Sequence, residues 1–198
     1  MKKLTILLFS ILISVSSISC SIFANTQHQS NYVGQEYREI KSLSNDDISE
    51  LLNGSGWGLA KPAELNGVPG PKHVLEMAEK IDLTKAQTEA INNVFNKMLN
   101  EAIPLGKEYV EAERKLDQMF KSRKVNYQTL QSQLTRIASI RSKLRFIHLS
   151  KHLDTLEILS EEQIKLYNKL RGYSSSNICD SIPEGHDAEM WKKHNGCN

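Results

Sequence analysis

Residues 127–158, YQTLQSQLTRIASIRSKLRFIHLSKHLDTLEI, decide the fold of this chain. Apolar side chains recur in this stretch at spacings of three and four, which predicts one long helix with a single buried stripe. The members of the stripe are Leu130, Leu134, Ile137, Ile140, Leu144 and Ile147. Since no strand pattern occurs elsewhere in the sequence, the chain is predicted to be all-α.

A second long helix is predicted before this one. Thr84 can accept a hydrogen bond from a free amide of the first turn, and Gln87, three residues later, completes a capping box. Pro104 lies inside the predicted helix, where it removes one hydrogen bond and should bend the axis. The two long helices are expected to separate at residues 122–126.

The same cap recurs in LSEEQ (159–163), which predicts a shorter third helix that ends near Gly172. Together with LTKAQ (83–87), this stretch resembles the twin LTxxQ signature of the Spy/CpxP family of periplasmic proteins. The likeness covers about residues 71–173. The second copy has Ser160 where the signature has Thr, a change that keeps the capping chemistry.

The resemblance implies a long antiparallel helical hairpin that dimerises into a cradle. Members of the family include ATP-independent chaperones and envelope-stress modulators, and related proteins sense or sequester heavy metals. The implied function is therefore binding of unfolded or envelope polypeptides, with metal sensing or metal resistance as the alternative. We interpret the motif residues themselves, Thr84, Gln87, Ser160 and Gln163, as structural caps.

Residues 25–70 are predicted to form an N-terminal extension with a short helix. The first part, 25–42, is polar and lacks periodicity, so it is expected to be a flexible leader. Ser44 can cap the short helix, and Gly54 stops it. A loop rich in Gly and Pro follows up to Pro71, which is predicted to be the first residue of another short helix that runs to about Lys80.

Residues 1–24 have the layout of a secretory signal, with a basic start, an apolar run over Leu4–Val15 and small residues up to Ala24. The run is shorter than the roughly 20 residues that a spanning helix needs. Cleavage after Ala24 would release the protein into the periplasm. Alternatively, SISC (17–20) loosely resembles a lipoprotein box, and acylation of Cys20 would anchor the chain to a membrane.

Charge and motifs favour neither nucleic-acid binding nor catalysis. Removal of residues 1–24 takes two lysines from the 25 basic residues and leaves 23, equal to the 23 acidic residues. A zero net charge gives no argument for nucleic acid as a partner. The sequence has no Gly-rich phosphate loop and no nucleophile elbow, so no catalytic residue and no required cofactor are predicted.

A basic segment is the first candidate site. No acidic residue occurs between Gln118 and Leu153, and Arg141 and Arg145 lie on one line of the predicted helix, beside Ile137 and Leu144. Arginine binds carboxylates through its planar fork and covers apolar groups with its stem. These four residues are predicted to bind client polypeptides, and a solvated basic face is the simpler alternative.

The same line continues to His148 and His152, four residues apart. This spacing presents two imidazoles from adjacent helical turns, so that a helix can offer two nitrogens to zinc, copper or nickel. Two ligands do not make a site, so a metal would need further ligands from another helix or a dimer mate. Satisfied structural histidines are the alternative.

The tail, residues 174–198, is expected to be loop-like. Cys179 and Cys197 most simply form one disulfide in an oxidising compartment. His186 and His194 lie between the cysteines and add two further candidate metal ligands. A disulfide and a metal site compete for the two thiols, and export favours the disulfide.

Overall fold

The computed structural model describes residues 30–173, Cys179 and residues 182–197. The expected signal segment, with its cleavage point at Ala24 and the alternative acylation site at Cys20, lies outside the described residues. No helix among the described residues has the length and apolar character needed to cross a membrane.

The chain forms two compact units that divide after Val33, and every helix described below belongs to the second unit, Gly34–Asn198. The described residues of this unit are all-helical, as predicted, and the two longest helices pack against each other. A 3-10 turn, Gln35–Tyr37, comes first. The α-helices are α1 (Asn45–Leu52), α2 (Lys61–Glu64), α3 (Pro71–Glu76), α4 (Lys85–Lys121), α5 (Tyr127–Leu156), α6 (Glu161–Leu170) and α7 (Ala188–His194).

The core between α4 and α5 uses most of the predicted stripe. Ile137, Ile140, Leu144 and Ile147 of α5 are buried. Leu134 is exposed instead, because it lies about 60° further around the helix than Ile137. Gln133 takes the buried position, and its amide Nε2 donates to the Ala112 carbonyl of α4 at 2.6 Å. The buried amide is thereby satisfied.

The two motifs meet at the other end of the bundle. The N–H of Gln87 donates to Thr84 Oγ1 at 3.1 Å, and the N–H of Gln163 donates to Ser160 Oγ at 3.2 Å. The amides of Gln87 and Gln163 also lie in hydrogen-bond contact with each other, with Nε2–Oε1 separations of 2.8 and 3.0 Å. Each motif therefore caps its own helix and links the start of α4 to the start of α6.

The extension is less flexible than predicted. Ile40 is fully buried in the core with α4. The hydroxyl of Ser42 donates to Glu113 Oε2 at 2.8 Å, and the N–H of Lys41 donates to Asp117 Oδ1 at 3.2 Å. The prediction of a flexible leader up to residue 42 is therefore wrong for its last residues, because one apolar side chain in a polar stretch suffices to dock them.

Gly106 determines how closely α1 approaches α4. A Cβ at this position would lie 2.0 Å from the carbonyl oxygen of Leu51, the buried residue near the end of α1. Only glycine leaves room for that backbone contact. Ser44 caps α1 as predicted, and it forms a capping box with Asp47. The short helix is thus fixed at both ends.

Two short helices were not predicted. Within the loop, α2 begins at Lys61 with Pro62 in its first turn, a position that suits proline because its missing N–H has no helical partner there. In the tail, the side chain of Asp187 accepts a hydrogen bond from the N–H of Met190 at 2.8 Å and caps α7. The prediction of a loop-like tail is therefore wrong for the residues of α7.

Candidate functional site

The line of basic residues on α5 divides into two halves. Arg141 and Arg145 are exposed, whereas His148 is 3% exposed and His152 7%. The loop before α3 covers the second half. His152 Nδ1 donates to the carbonyl oxygen of Val68 at 2.7 Å, and a Cβ on Gly70 would come within 2.7 Å of the same ring.

Arg141 contacts the extension as well, although its side chain remains exposed. Its guanidinium carbon lies 5.7 Å from the ring centroid of Trp57, which packs against Tyr109 at 5.4 Å. The indole N–H donates to Asp47 Oδ1 at 2.8 Å. Hydrogen bonds from Ser44 and then Trp57 hold the pKa of Asp47 below its ordinary value. Trp57 therefore connects the capped start of α1 to the basic line.

The four predicted client-binding residues do not share a surface. Ile137 is 8% exposed and Leu144 2%, so both belong to the core and only the two arginines are accessible. Other apolar residues of α5 are exposed, however. Leu134 was expected in the buried stripe, whereas Phe146 and Leu153 were missed because they lie off that stripe; these two are 72% and 61% exposed, and Tyr127 in the first turn is 94% exposed.

The remaining cations of the basic segment are partly neutralised by α4. Arg136 forms an ion pair with Glu108 at 3.3 Å. Lys151 is buried, and its ammonium lies 3.8 Å from Glu101 and 3.3 Å from Asp154. Arg145, in contrast, has no ion pair with any residue that the structure describes. Within α5, the cations without an ion pair to a described residue are therefore Arg141, Lys143 and Arg145.

His148 and His152 line a cavity of about 690 Å³. The cavity lies between the segment that joins α1 to α2, the helices α2, α3, α4 and α5, and the segment after α6. Burial, and secondly the neighbouring His152, lower the pKa of His148 to about 4. The imidazole of His148 is therefore uncharged at neutral pH and adds no positive charge to the wall.

Glu64 organises one end of this cavity. Its Oε1 accepts hydrogen bonds from the hydroxyl of Tyr167 at 2.6 Å, from Arg171 Nε at 3.1 Å and from the hydroxyl of Tyr173 at 3.2 Å. Burial, followed by the contact with Glu64, raises the pKa of Tyr167. The carboxylate thus ties α2 to the end of α6 while its charge is matched by Arg171.

The structure brings together only part of the predicted metal ligands. Within residues 30–173 and 182–197, no group of three or more His, Cys, Asp or Glu side chains could hold a metal ion. The predicted disulfide between Cys179 and Cys197 is confirmed, so both thiols are bonded to each other. His186 packs edge-on against Trp191 at 5.2 Å, and His194 lies in the last turn of α7.

Comparisons with protein-family models, curated proteins and solved structures found no match to this chain. The likeness to Spy/CpxP proteins therefore depends on the two motifs, whose capping bonds and glutamine contact are described above.

Proposed function

We propose that this protein is an ATP-independent periplasmic chaperone or envelope-stress modulator that binds unfolded polypeptides. The observation that carries the proposal is that α5, a helix of 30 residues, exposes both arginines and large apolar side chains, of which Phe146 and Leu153 are seven residues apart and share one face. We name this the α5 outer surface and define it as Leu134, Arg141, Arg145, Phe146 and Leu153.

The chemistry of this surface suits clients without a fixed shape. Exposed apolar side chains of this size mark interaction sites when they occur together on a soluble protein. Arginine adds donors for client carboxylates and carbonyl groups and covers apolar client groups with its stem. Many weak contacts of these two kinds would hold a flexible chain without requiring one sequence.

The scaffold would be an antiparallel hairpin of α4 and α5 that forms a cradle as a homodimer. Two ion pairs support the antiparallel arrangement, because Glu108 contacts Arg136 whereas the earlier residue Glu101 contacts the later residue Lys151. Sedimentation equilibrium of the mature protein would test the dimer. A monomer at tens of micromolar, with full activity, would remove the cradle from the proposal.

The test of function is suppression of aggregation when an unrelated protein is diluted out of denaturant, a condition that leaves the Cys179–Cys197 bond intact. The mature chain should suppress light scattering at near-stoichiometric ratios. Arg141→Glu/Arg145→Glu and Phe146→Ser/Leu153→Ser should each lose most of this protection, because they remove the charged and the apolar part of the surface separately.

A matched control is Lys97→Glu/Lys107→Glu, which makes the same charge change at two exposed positions of α4. It should protect as well as the parent. The proposal is abandoned if the parent does not suppress aggregation, or if the control loses as much protection as the arginine variant.

A second candidate is metal sensing or metal binding, since His148 and His152 line the same cavity. The Nδ1 atom of His152 is occupied by Val68, which leaves Nε2 for zinc, copper or nickel. Calorimetric titration with each metal would test this function. Binding weaker than about millimolar, or binding that survives His148→Ala/His152→Ala, would exclude these histidines as the site.

A further inference from the structure

The cavity beside His148 has the size of a small-molecule site and is independent of the α5 outer surface. Its volume of about 690 Å³ lies within the range of roughly 300–1,000 Å³ that is typical of ligand pockets. It opens between the extension and the two long helices, so an occupant would contact elements from both parts of the chain.

One wall of the cavity is apolar. Phe95, Met98 and Leu99 contribute this wall from successive turns of α4. Leu65, at the end of α2, extends the apolar lining to the rim and is itself 62% exposed. An apolar side chain that is held in solvent beside an apolar wall indicates a site for the hydrophobic part of a ligand.

The polar lining is positively charged. Among the described residues that line the cavity, Lys61, Lys72 and Arg171 are basic and Glu64 alone is acidic. Glu64 is matched by Arg171 at 3.1 Å. Lys72 has only a 4.0 Å contact with Glu76, and both side chains are more than half exposed, so little of its charge is neutralised. Lys61 has no ion pair with a described residue.

We propose that this cavity binds an amphipathic anion, with an alkyl chain against Phe95, Met98 and Leu99 and a carboxylate or phosphate head near Lys61 and Lys72. The buried imidazole of His148 also lines the cavity, where it offers a polar contact without a further positive charge. The apolar wall supplies affinity through buried area, and the lysines orient the head.

Isothermal titration of the mature protein with dodecanoate, dodecanol and acetate tests the proposal. Dodecanoate should bind at one site per chain, dodecanol about tenfold more weakly because it lacks the charge, and acetate not detectably. Vesicles of anionic phospholipid separate a monomeric ligand from a membrane surface. Binding to vesicles without binding of monomeric dodecanoate would overturn the proposal.

Two variants at exposed positions locate the site. Lys61→Glu/Lys72→Glu should weaken dodecanoate about tenfold and leave dodecanol unchanged. Leu65→Ser should weaken both ligands about threefold. Lys97→Glu/Lys107→Glu and Leu170→Ser make the same changes away from the cavity and should have no effect. Equal effects of the cavity variants and their controls, with unchanged melting curves, would place any binding elsewhere.

Discussion

The two halves of the basic line on α5 have the same helical spacing and opposite environments. Arg141 and Arg145 are exposed and could contact a partner, whereas His148 and His152 are buried and His152 contacts the protein's own loop. The helix is continuous through all four residues, so local structure does not cause the difference. For His152 the cause is the extension, which covers its ring with Val68 and Gly70.

Spacing along a helix determines the direction of a side chain, while its burial depends on which other parts of the chain pack against it. The arginines remain accessible for the client binding that we propose. The histidines belong to a cavity wall, and a metal there would need ligands from elsewhere. Substitutions in the extension, or in the residues of α5 that it contacts, can therefore test each half separately.

The largest expected effect is a loss of unfolding free energy in acid that is caused by the buried His148. Because the pKa of folded His148 is about 4 and that of an unfolded histidine about 6.5, the unfolded state takes up a proton first as pH falls. Stability from this group is therefore complete above pH 6.5 and is lost towards pH 4. The loss should reach about 3 kcal/mol at pH 4.

The measurement is the free energy of unfolding in urea at pH 7 and pH 4, compared between parent and His148→Gln. The variant should lack about 3 kcal/mol of the parent's pH dependence. His194→Gln, at an exposed histidine of α7, is the control and should keep it. An identical pH dependence in parent and His148→Gln would show that His148 is not held uncharged by burial.

The next effect concerns the backbone contact that holds α1 of the extension against α4. Gly106→Ala would place a Cβ against the carbonyl oxygen of Leu51, and α1 would have to move away from α4. Overpacking of this kind should cost about 2 to 3 kcal/mol of unfolding free energy. Hydrogen exchange of the α1 amides should accelerate by more than that of α6. Unchanged exchange in α1 would contradict the close backbone contact.

A smaller effect is expected where the extension contacts His152 directly. Gly70→Ala would bring a Cβ within 2.7 Å of the His152 ring, which is fixed by Val68, and should cost about 1 to 2 kcal/mol. Gly56→Ala makes the same change in open space in the loop before α2 and should stay within about 0.5 kcal/mol of the parent. Equal unfolding midpoints for the two variants would contradict the close contact between Gly70 and the His152 ring.

Much of the scaffold was predictable because its signals are local. The caps at Thr84 and Ser160 depend on residues three positions apart, so both helix starts could be found from the sequence. The contact between Gln87 and Gln163 joins positions 76 residues apart. Nothing in either motif alone specifies it.

The candidate site was less predictable because it depends on distant contacts. Ile137 and Leu144 were assigned to the client surface although they also belong to the buried stripe, and a residue cannot serve both roles in one conformation. Leu134 was assigned to the stripe and is exposed. The cavity is formed by six parts of the chain, and its walls cannot be recognised before the extension is placed on α4 and α5.

The smallest effect distinguishes the two arginines of the exposed half. Arg141 lies over Trp57, so Arg141→Ala should lose a cation–π contact of about 0.5 to 1 kcal/mol and change the tryptophan emission of the folded protein. Arg145 has no such contact among the described residues, and Arg145→Ala should stay within about 0.5 kcal/mol of the parent. If Arg145→Ala nevertheless weakens client protection as much as Arg141→Ala does, that loss of protection comes from weaker client binding, because only Arg141→Ala is expected to lower the stability. If both variants instead lose the same unfolding free energy, the extension must cover Arg145 as well. The covered half of the line would then begin earlier in α5, before His148.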